Sequence, residues 1–141
     1  MMQAFPVFMT LKDRRVLVVG GGEAAARKVE LLLSAGARVS LIAATVAGEV
    51  AQFISEGRIT WVGGDFDDGD LVGISLVIVA SDDEALQTRV SSVAQRYCVP
   101  VNVVDRPRLS SFIMPAIVDR GPITVAISTR SEEHTSELQS H

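Results

Sequence analysis

The sequence predicts an α/β fold, in which a doubly wound parallel sheet is followed by a β-hairpin. Three observations predict it. Aliphatic and β-branched segments of strand length alternate with segments that carry apolar residues at helical spacing. A glycine cluster, Gly20–Gly22, joins the first strand to the first helix. The alternation stops after residue 111, where two apolar strands follow each other with no helix between them.

The composition agrees with this fold class and argues against a nucleic-acid-binding, membrane-spanning or disulfide-stabilised protein. The 141 residues are enough for one domain, and a hydrophobic content of 48% with only 5% aromatics indicates an aliphatic core. The net charge of −4 gives no indication of a nucleic-acid partner. No apolar run reaches the roughly 18 residues of a membrane span, so the predicted location is cytoplasmic. A single cysteine, Cys98, excludes an intramolecular disulfide and is predicted to be a packed thiol at a strand edge.

The first strand, Val16–Val19, leads into a nucleotide-binding motif. Gly20, Gly22 and Ala25 fit the G-x-G-x-x-G/A pattern of a Rossmann-like βαβ unit. Gly20 permits a tight turn, Gly22 lets a pyrophosphate approach the backbone, and Ala25 lets the helix lie close to its strand. Free N–H groups and the helix dipole at this end attract phosphate. The residues predicted to bind the cofactor here are Gly20, Gly21, Gly22, Glu23 and Ala24.

The helix that follows and the next strand complete the unit. An apolar stripe of Ala25, Val29, Leu32 and Leu33 is predicted to face the sheet, and Gly36 to end the helix. The second strand, Arg38–Ile42, runs into Ala43, Ala44 and Thr45 and lacks the acid that often binds the adenosine ribose. Ala44 and Thr45 are therefore predicted to make this contact, with NAD favoured over NADP. A tight turn without any ligand remains the alternative.

The remaining elements alternate in the same way. The predicted order is a helix over Val46–Glu56, a strand over Arg58–Val62, an acidic loop over Gly63–Asp70, a strand over Ser75–Ala80, a helix from Ser81–Asp83 to about Tyr97, and a strand over Val99–Val104. Ligands of such sheets lie beyond the carboxyl ends of the strands. This rule adds Ser81, Asp82 and Asn102 to the predicted cofactor-binding residues.

The end of the chain departs from the alternation. Phe112–Val118 and Ile123–Ser128 are predicted to form a hairpin with Asp119–Pro122 at its tip. A two-stranded hairpin is marginally stable alone, so a partner subunit is expected to cover it. Residues 131–141 have one apolar residue and resemble translated sequencing-adapter read-through. The predicted organisation is a nucleotide-binding domain over 1–111, the start of a truncated dimerisation region over 112–129, and a non-native tail over 130–141.

Several motifs together resemble the dehydrogenase/ferrochelatase module of siroheme synthase, the precorrin-2 dehydrogenase family. The motifs are Phe5–Phe8, Val18–Gly22, Ala24–Lys28, Ser81–Asp83, Val101–Asp105 and Ser111–Ala116. The resemblance implies NAD-dependent oxidation of precorrin-2 to sirohydrochlorin. It also implies a homodimer when the protein is full length and, in bifunctional members, insertion of ferrous iron to give siroheme. The alternative function is a nucleotide-sensing regulatory Rossmann module without catalysis.

The resemblance assigns roles to residues near the fifth strand. The catalytic Asp of the family matches Asp105, which alternatively caps the loop at Arg106-Pro107. Arg106, Arg108 and Arg120 are candidates for binding the carboxylates of the tetrapyrrole, and each is also plausible as a solvated surface residue. Ser111 is a candidate for binding the edge of the macrocycle, and alternatively it starts the hairpin. Both histidines lie in the predicted tail and only one cysteine is present, so no resident metal site is predicted and iron would be a substrate.

Overall fold

The computed structural model describes residues 1–128. The described residues form two compact units, one of Met9–Ser111 and the other of Met1–Phe8 together with residues 112–128. The predicted tail from residue 130 lies outside the described residues.

The larger unit contains one parallel sheet of five strands. The strands are β1 (Arg15–Val19), β2 (Arg38–Ile42), β3 (Thr60–Gly63), β4 (Leu76–Val79) and β5 (Val101–Val103). Their order in the sheet is β3-β2-β1-β4-β5. The chain therefore adds β2 and β3 on one side of β1 and then crosses back to add β4 and β5 on the other side, which places a switch point between β1 and β4.

Helices connect the strands and cover the sheet. They are α1 (Glu23–Ser34), α2 (Gly48–Ser55) and α3 (Glu84–Arg96), with two short 3₁₀ turns at Asp68–Leu71 and Pro107–Leu109. Because parallel crossovers are right-handed, the reversal at the switch point puts α3 on the opposite face from α1 and α2. Val90, Val93 and Ala94 of α3 pack with inward residues of β4 and β5 in one apolar cluster. The predicted fold class is confirmed.

All three helices end in the same hydrogen-bonded motif, in which the residue after the C-cap is left-handed. For α1, Gly36 has φ of 79° and its N–H donates to the Leu33 carbonyl, as the sequence predicts. For α3 the equivalent residue is Cys98, with φ of 58°. The prediction of a packed strand-edge thiol is therefore wrong: Cys98 is exposed, because it occupies the helix stop and not the strand.

The first strand of the hairpin in the other unit begins later than predicted and also ends later, at Arg120 instead of Val118. The hairpin consists of β6 (Ala116–Arg120) and β7 (Ile123–Ile127), which are antiparallel. Pro115 has no N–H to donate to a ladder, and β6 begins directly after it. Arg120 pairs with Ile123, so the tip is the two residues Gly121 and Pro122 and not four. Gly121 has φ of 63°, as the first position of a type II′ turn requires.

Candidate functional site

The glycine turn lies at the switch point of the sheet. Gly20 has φ of 135°, and a Cβ on it would overlap the carbonyl oxygen of Ala80, directly after β4. A Cβ on Gly21 would overlap the carbonyl oxygen of Thr45, beyond the end of β2. The backbone of the turn is thus held between the ends of β2 and β4. This requirement for glycine at position 21 could not be predicted from the sequence, because it arises from the loop after β2, which the fold places beside the turn.

Gly22 has a different environment from the two glycines before it. A Cβ built on Gly22 would meet no atom within 4 Å, and its φ of −104° is allowed for any residue. Gly22 is also the N-cap of α1, and no side chain caps this helix start within the described residues. The N–H groups of Glu23 and Ala24 therefore point from the first turn toward open space. Such a cradle of N–H groups fits the pyrophosphate of a dinucleotide.

The end of β2 offers small residues and backbone to a ligand. Ala43 is buried, whereas Ala44 and Thr45 are exposed. The Ala47 N–H donates to the Gly21 carbonyl at 3.2 Å, which holds this loop against the glycine turn. Ala44 and Thr45 are therefore brought beside the turn, at the position where an adenosine ribose would lie by the general rule for such sheets.

The end of β4 is organised by hydrogen bonds that only partly involve the predicted residues. Asp83, and not Ser81 or Asp82, is the N-cap of α3, and its carboxylate accepts from the N–H groups of Ala85 and Leu86. Ser81 accepts from the Asp83 N–H through its hydroxyl and from the buried Gln87 amide through its carbonyl. Asp82 is exposed. Gln87 supports this loop and was not predicted from the sequence; it is one of two buried polar residues of α3, the other being Ser91.

Asp105 follows β5 at the same edge of the sheet. The preceding residue, Val104, donates its N–H to the Val79 carbonyl at 3.0 Å, which ties this loop to the end of β4. Strands lie about 4.8 Å apart, so the ends of β1 and β5 are separated by roughly 10 Å across the edge. The Asp105 carboxylate is exposed and has no hydrogen-bond or ion-pair partner within residues 1–128.

The backbone of Asp105 is unusual and its predicted structural alternative is not observed. Its φ of 61° is left-handed, a conformation that Asp tolerates better than most residues but that still costs energy. The 3₁₀ turn Pro107–Leu109 has Arg106 as its N-cap, with no side-chain capping bond. Asp105 therefore does not cap the loop at Arg106-Pro107. Its left-handed backbone is the kind of outlier found at functional sites, and its carboxylate is unpaired within residues 1–128.

Asn102 and the predicted arginines of this region lie in different settings. Asn102 is a buried residue in the middle of β5, on the opposite face from Val101 and Val103 because side chains alternate along a strand. Arg106 lies 3.6 Å from the Glu84 carboxylate, with half of its side chain exposed. Arg108 is exposed. Arg106 and Arg108 therefore stand beside Asp105 as cations accessible from solvent.

Ser111 and Arg120 are not brought to this edge within the larger unit. The Ser111 hydroxyl accepts from the Val101 N–H at 2.9 Å, at the other end of β5 from Asp105. The hairpin itself begins at Ala116, so Ser111 does not start it, and a contact of Ser111 with the substrate remains a prediction. Arg120 ends β6 in the hairpin, outside the unit that contains the glycine turn, and its role remains a prediction.

A parallel sheet whose glycine turn lies at its switch point, with an open helix start beside it, defines a dinucleotide-binding Rossmann protein. The particular family follows from comparison with known proteins. The chain belongs to the family described as putative NAD(P)-binding, whose model matches residues 7–116.

Proteins that are similar to this chain in sequence agree with this family and are siroheme synthases. The chain is 48% identical over 128 residues to a siroheme synthase of Thioalkalivibrio sulfidiphilus, covering 91% of this chain and 26% of the relative. It is 49% identical over 128 residues to a siroheme synthase of Pseudomonas putida, covering 91% of this chain and 28% of the relative. The chain thus spans about a quarter of the length of these relatives. The resemblance to a module of siroheme synthase is confirmed.

A solved structure has the same fold throughout. The structure of SirC, a precorrin-2 dehydrogenase, superposes with a TM-score of 0.80 at 29% identity, covering 97% of this chain and 68% of that one. The family description, putative NAD(P)-binding, confirms a nicotinamide dinucleotide as the predicted cofactor. In the part of the chain that the structure describes, no helix is both long and apolar enough to cross a bilayer.

Proposed function

We propose that this chain carries out the NAD-dependent oxidation of precorrin-2 to sirohydrochlorin. The observation that carries the proposal is the unpaired, left-handed Asp105 at the same sheet edge as the open glycine turn. The similarity to siroheme synthases and to SirC supports the same reaction. The roles of the individual site residues are part of this proposal.

Each residue at the carboxyl-terminal edge of the sheet has its own role in the reaction. Precorrin-2 loses a hydride and a proton, giving sirohydrochlorin, NADH and H⁺. NAD, when bound, supplies the acceptor for the hydride. The N–H groups of Glu23 and Ala24 hold its pyrophosphate, and Gly22 leaves room for it. The Asp105 carboxylate takes the proton, since no neighbour among residues 1–128 occupies its oxygens. Arg106 and Arg108 bind carboxylates of the substrate.

Charge at the adenosine end favours NAD over NADP. The loop after β3 lies beside the end of β2, since a Cβ on Gly64 would be 3.8 Å from the Ala44 Cα. This loop carries four aspartates, of which only Asp68 is ion-paired, with Arg89 at 3.6 Å, among the described residues, and neither the loop nor the segment 43–47 contains a Lys or Arg. The 2′-phosphate of NADP would enter a field of like charge there. The four aspartates are Asp65, Asp67, Asp68 and Asp70.

The proposed function is tested by giving the chain precorrin-2 and NAD under anaerobic conditions. We expect equal amounts of NADH and of a product two hydrogen atoms lighter than precorrin-2, measured by absorbance and mass spectrometry. With NADP at the same concentration we expect at least about ten-fold weaker binding, from the unfavourable charge. Tight NAD binding without any product would contradict the enzymatic function and favour the nucleotide-sensing alternative.

We further propose that the chain inserts ferrous iron into sirohydrochlorin, the product of the oxidation. The same Asp105 carboxylate would accept pyrrole N–H protons, two of which must leave as ferrous iron enters the macrocycle. The iron is a substrate here. Within residues 1–128, no group of three or more His, Cys, Asp or Glu side chains is arranged to hold a metal ion.

The hairpin supports a homodimer as the assembled form. Apolar side chains on β6 and β7 are exposed, among them Ile117, Ile123 and Val125. Two strands alone are marginally stable, so a second copy that covers them would stabilise both. We expect light scattering to give twice the 15.1 kDa mass of one chain.

A charged side chain on the hairpin should shift the equilibrium between monomer and dimer toward the monomer. Val125→Glu is expected to give monomers, while Val72→Glu, at an exposed site of the larger unit, should not. A monomeric unmodified chain, or a dimer equally sensitive to both variants, would refute the assembly through the hairpin.

A further inference from the structure

Trp61 holds the backbone at the end of β2 from the side opposite to the glycine turn. Its indole N–H lies 3.0 Å from the Ala43 carbonyl oxygen and 3.0 Å from the Gly63 carbonyl oxygen. The Ala43 N–H also donates to the Gly63 carbonyl, at 3.0 Å. Both polar backbone groups of Ala43 are therefore bound toward β3. Neither is turned toward a ligand at the edge.

A bulge in β3 makes this contact possible. Leu41 of β2 is the partner of Trp61, whereas the next residue, Ile42, is the partner of Gly63. Val62 is the additional residue, and half of it is exposed. A bulge bends and twists its strand, which here lets the indole reach past the end of β2. Trp61 as a whole remains 42% exposed.

The other side of the same loop meets the glycine turn. Ala43 Cβ and the Thr45 carbonyl are the atoms that a side chain on Gly21 would strike. The loop Ala43–Thr45 is thus held between Gly21 and Trp61. With the Ala43 carbonyl bound by the indole, what remains exposed for a ligand is Ala44 and Thr45.

We propose that Trp61 is a positioning residue for the adenosine half of the dinucleotide, acting through the Ala43 carbonyl. It does so by presenting the exposed Ala44–Thr45 segment to the ribose in one conformation. This stands in for the ordering that a ribose-binding acid would supply in other Rossmann proteins. The inference rests on the NAD site proposed above and adds to it the residue that shapes its adenosine end.

The chain provides its own probe, because Trp61 is its only tryptophan. We expect ADP-ribose and NAD to change the tryptophan emission of the unmodified chain, and nicotinamide mononucleotide to leave it unchanged. Replacing Trp61 with the amino acid β-(3-benzothienyl)alanine removes the N–H and keeps the ring shape. Calorimetry should then show binding of NAD and of ADP-ribose weakened about five-fold, the effect of one hydrogen bond.

A role in general stability alone would give a different result. For a positioning residue, the KM for NAD rises while kcat and the KM for precorrin-2 stay unchanged. Val72→Ala, at an exposed apolar residue outside β3, serves as the control and should bind NAD normally. The inference is overturned if NAD binds by calorimetry without changing the emission, or if the benzothienyl variant binds ADP-ribose like the unmodified chain. Absence of NAD binding in the unmodified chain would instead refute the proposed NAD site.

Discussion

Gly22→Val should weaken NAD binding more than about 100-fold and leave the fold intact. The new side chain points into space where no atom lies within 4 Å, and φ of −104° suits valine, so the protein itself meets no clash. The same space is where a pyrophosphate must approach the N–H groups of Glu23 and Ala24. Losing two charge-assisted hydrogen bonds of about 1.5 kcal/mol each corresponds to a Kd more than about 100-fold higher. Calorimetry with NAD measures this loss, and circular dichroism checks the fold.

The neighbouring glycine is the matched control for this variant. Gly21→Ala adds only one methyl group, but that group overlaps the Thr45 carbonyl oxygen, so the loop must move. We expect a loss of about 1–3 kcal/mol in the free energy of unfolding, as for other overpacked sites. Normal NAD affinity in folded Gly22→Val, or equal destabilisation by both variants, would show that the open face of the turn is not the nucleotide site.

Asp105→Asn should lower the rate of precorrin-2 oxidation by at least about 100-fold, the usual scale for loss of a general base. Asparagine has the same size and also tolerates φ of 61°, so the loop after β5 keeps its conformation. NAD binding should be unchanged, because the glycine turn lies roughly 10 Å away. The expected signature is a fall in kcat with little change in the KM for NAD.

Asp13 offers a control of the same chemistry in a different place. It is also an exposed aspartate with φ of 61°, but it precedes β1 and so lies at the opposite edge of the sheet. Asp13→Asn should leave the rate unchanged. If Asp105→Asn also oxidised precorrin-2 at the unmodified rate, Asp105 would not be the base.

Much of the local structure could be predicted from the sequence. The strand β2 has the predicted bounds Arg38–Ile42, and α1 begins at the glycine motif and stops at Gly36 as expected. These features depend on residues within a few positions of one another. Side-chain periodicity and the left-handed preference of glycine act over that range, so the pattern alone determines them. The family could be identified for the same reason, since its motifs are short and contiguous.

Other features depend on contacts between distant parts of the chain. Gly20 meets Ala80, Gly21 meets Thr45, and the Trp61 indole binds the Ala43 carbonyl. Strand bounds also shifted where a residue had a partner elsewhere: the predicted strand from Val99 begins at Val101, because the Val99 N–H completes the end of α3. No periodicity encodes which carbonyl lies beside which side chain.

The sequence by itself therefore determined the βαβ unit, the nucleotide motif and the family. Only the tertiary structure decided which predicted side chains remain accessible to a ligand. The sequence left open whether Asp105 is a base or a cap, and in the structure its carboxylate is unpaired within residues 1–128. The Ser111 hydroxyl, by contrast, accepts a hydrogen bond from the Val101 N–H. The physical reason is that a polar side chain near a strand end will take a backbone partner wherever the alignment of the strands offers one, and that alignment is set by the packing of the whole sheet.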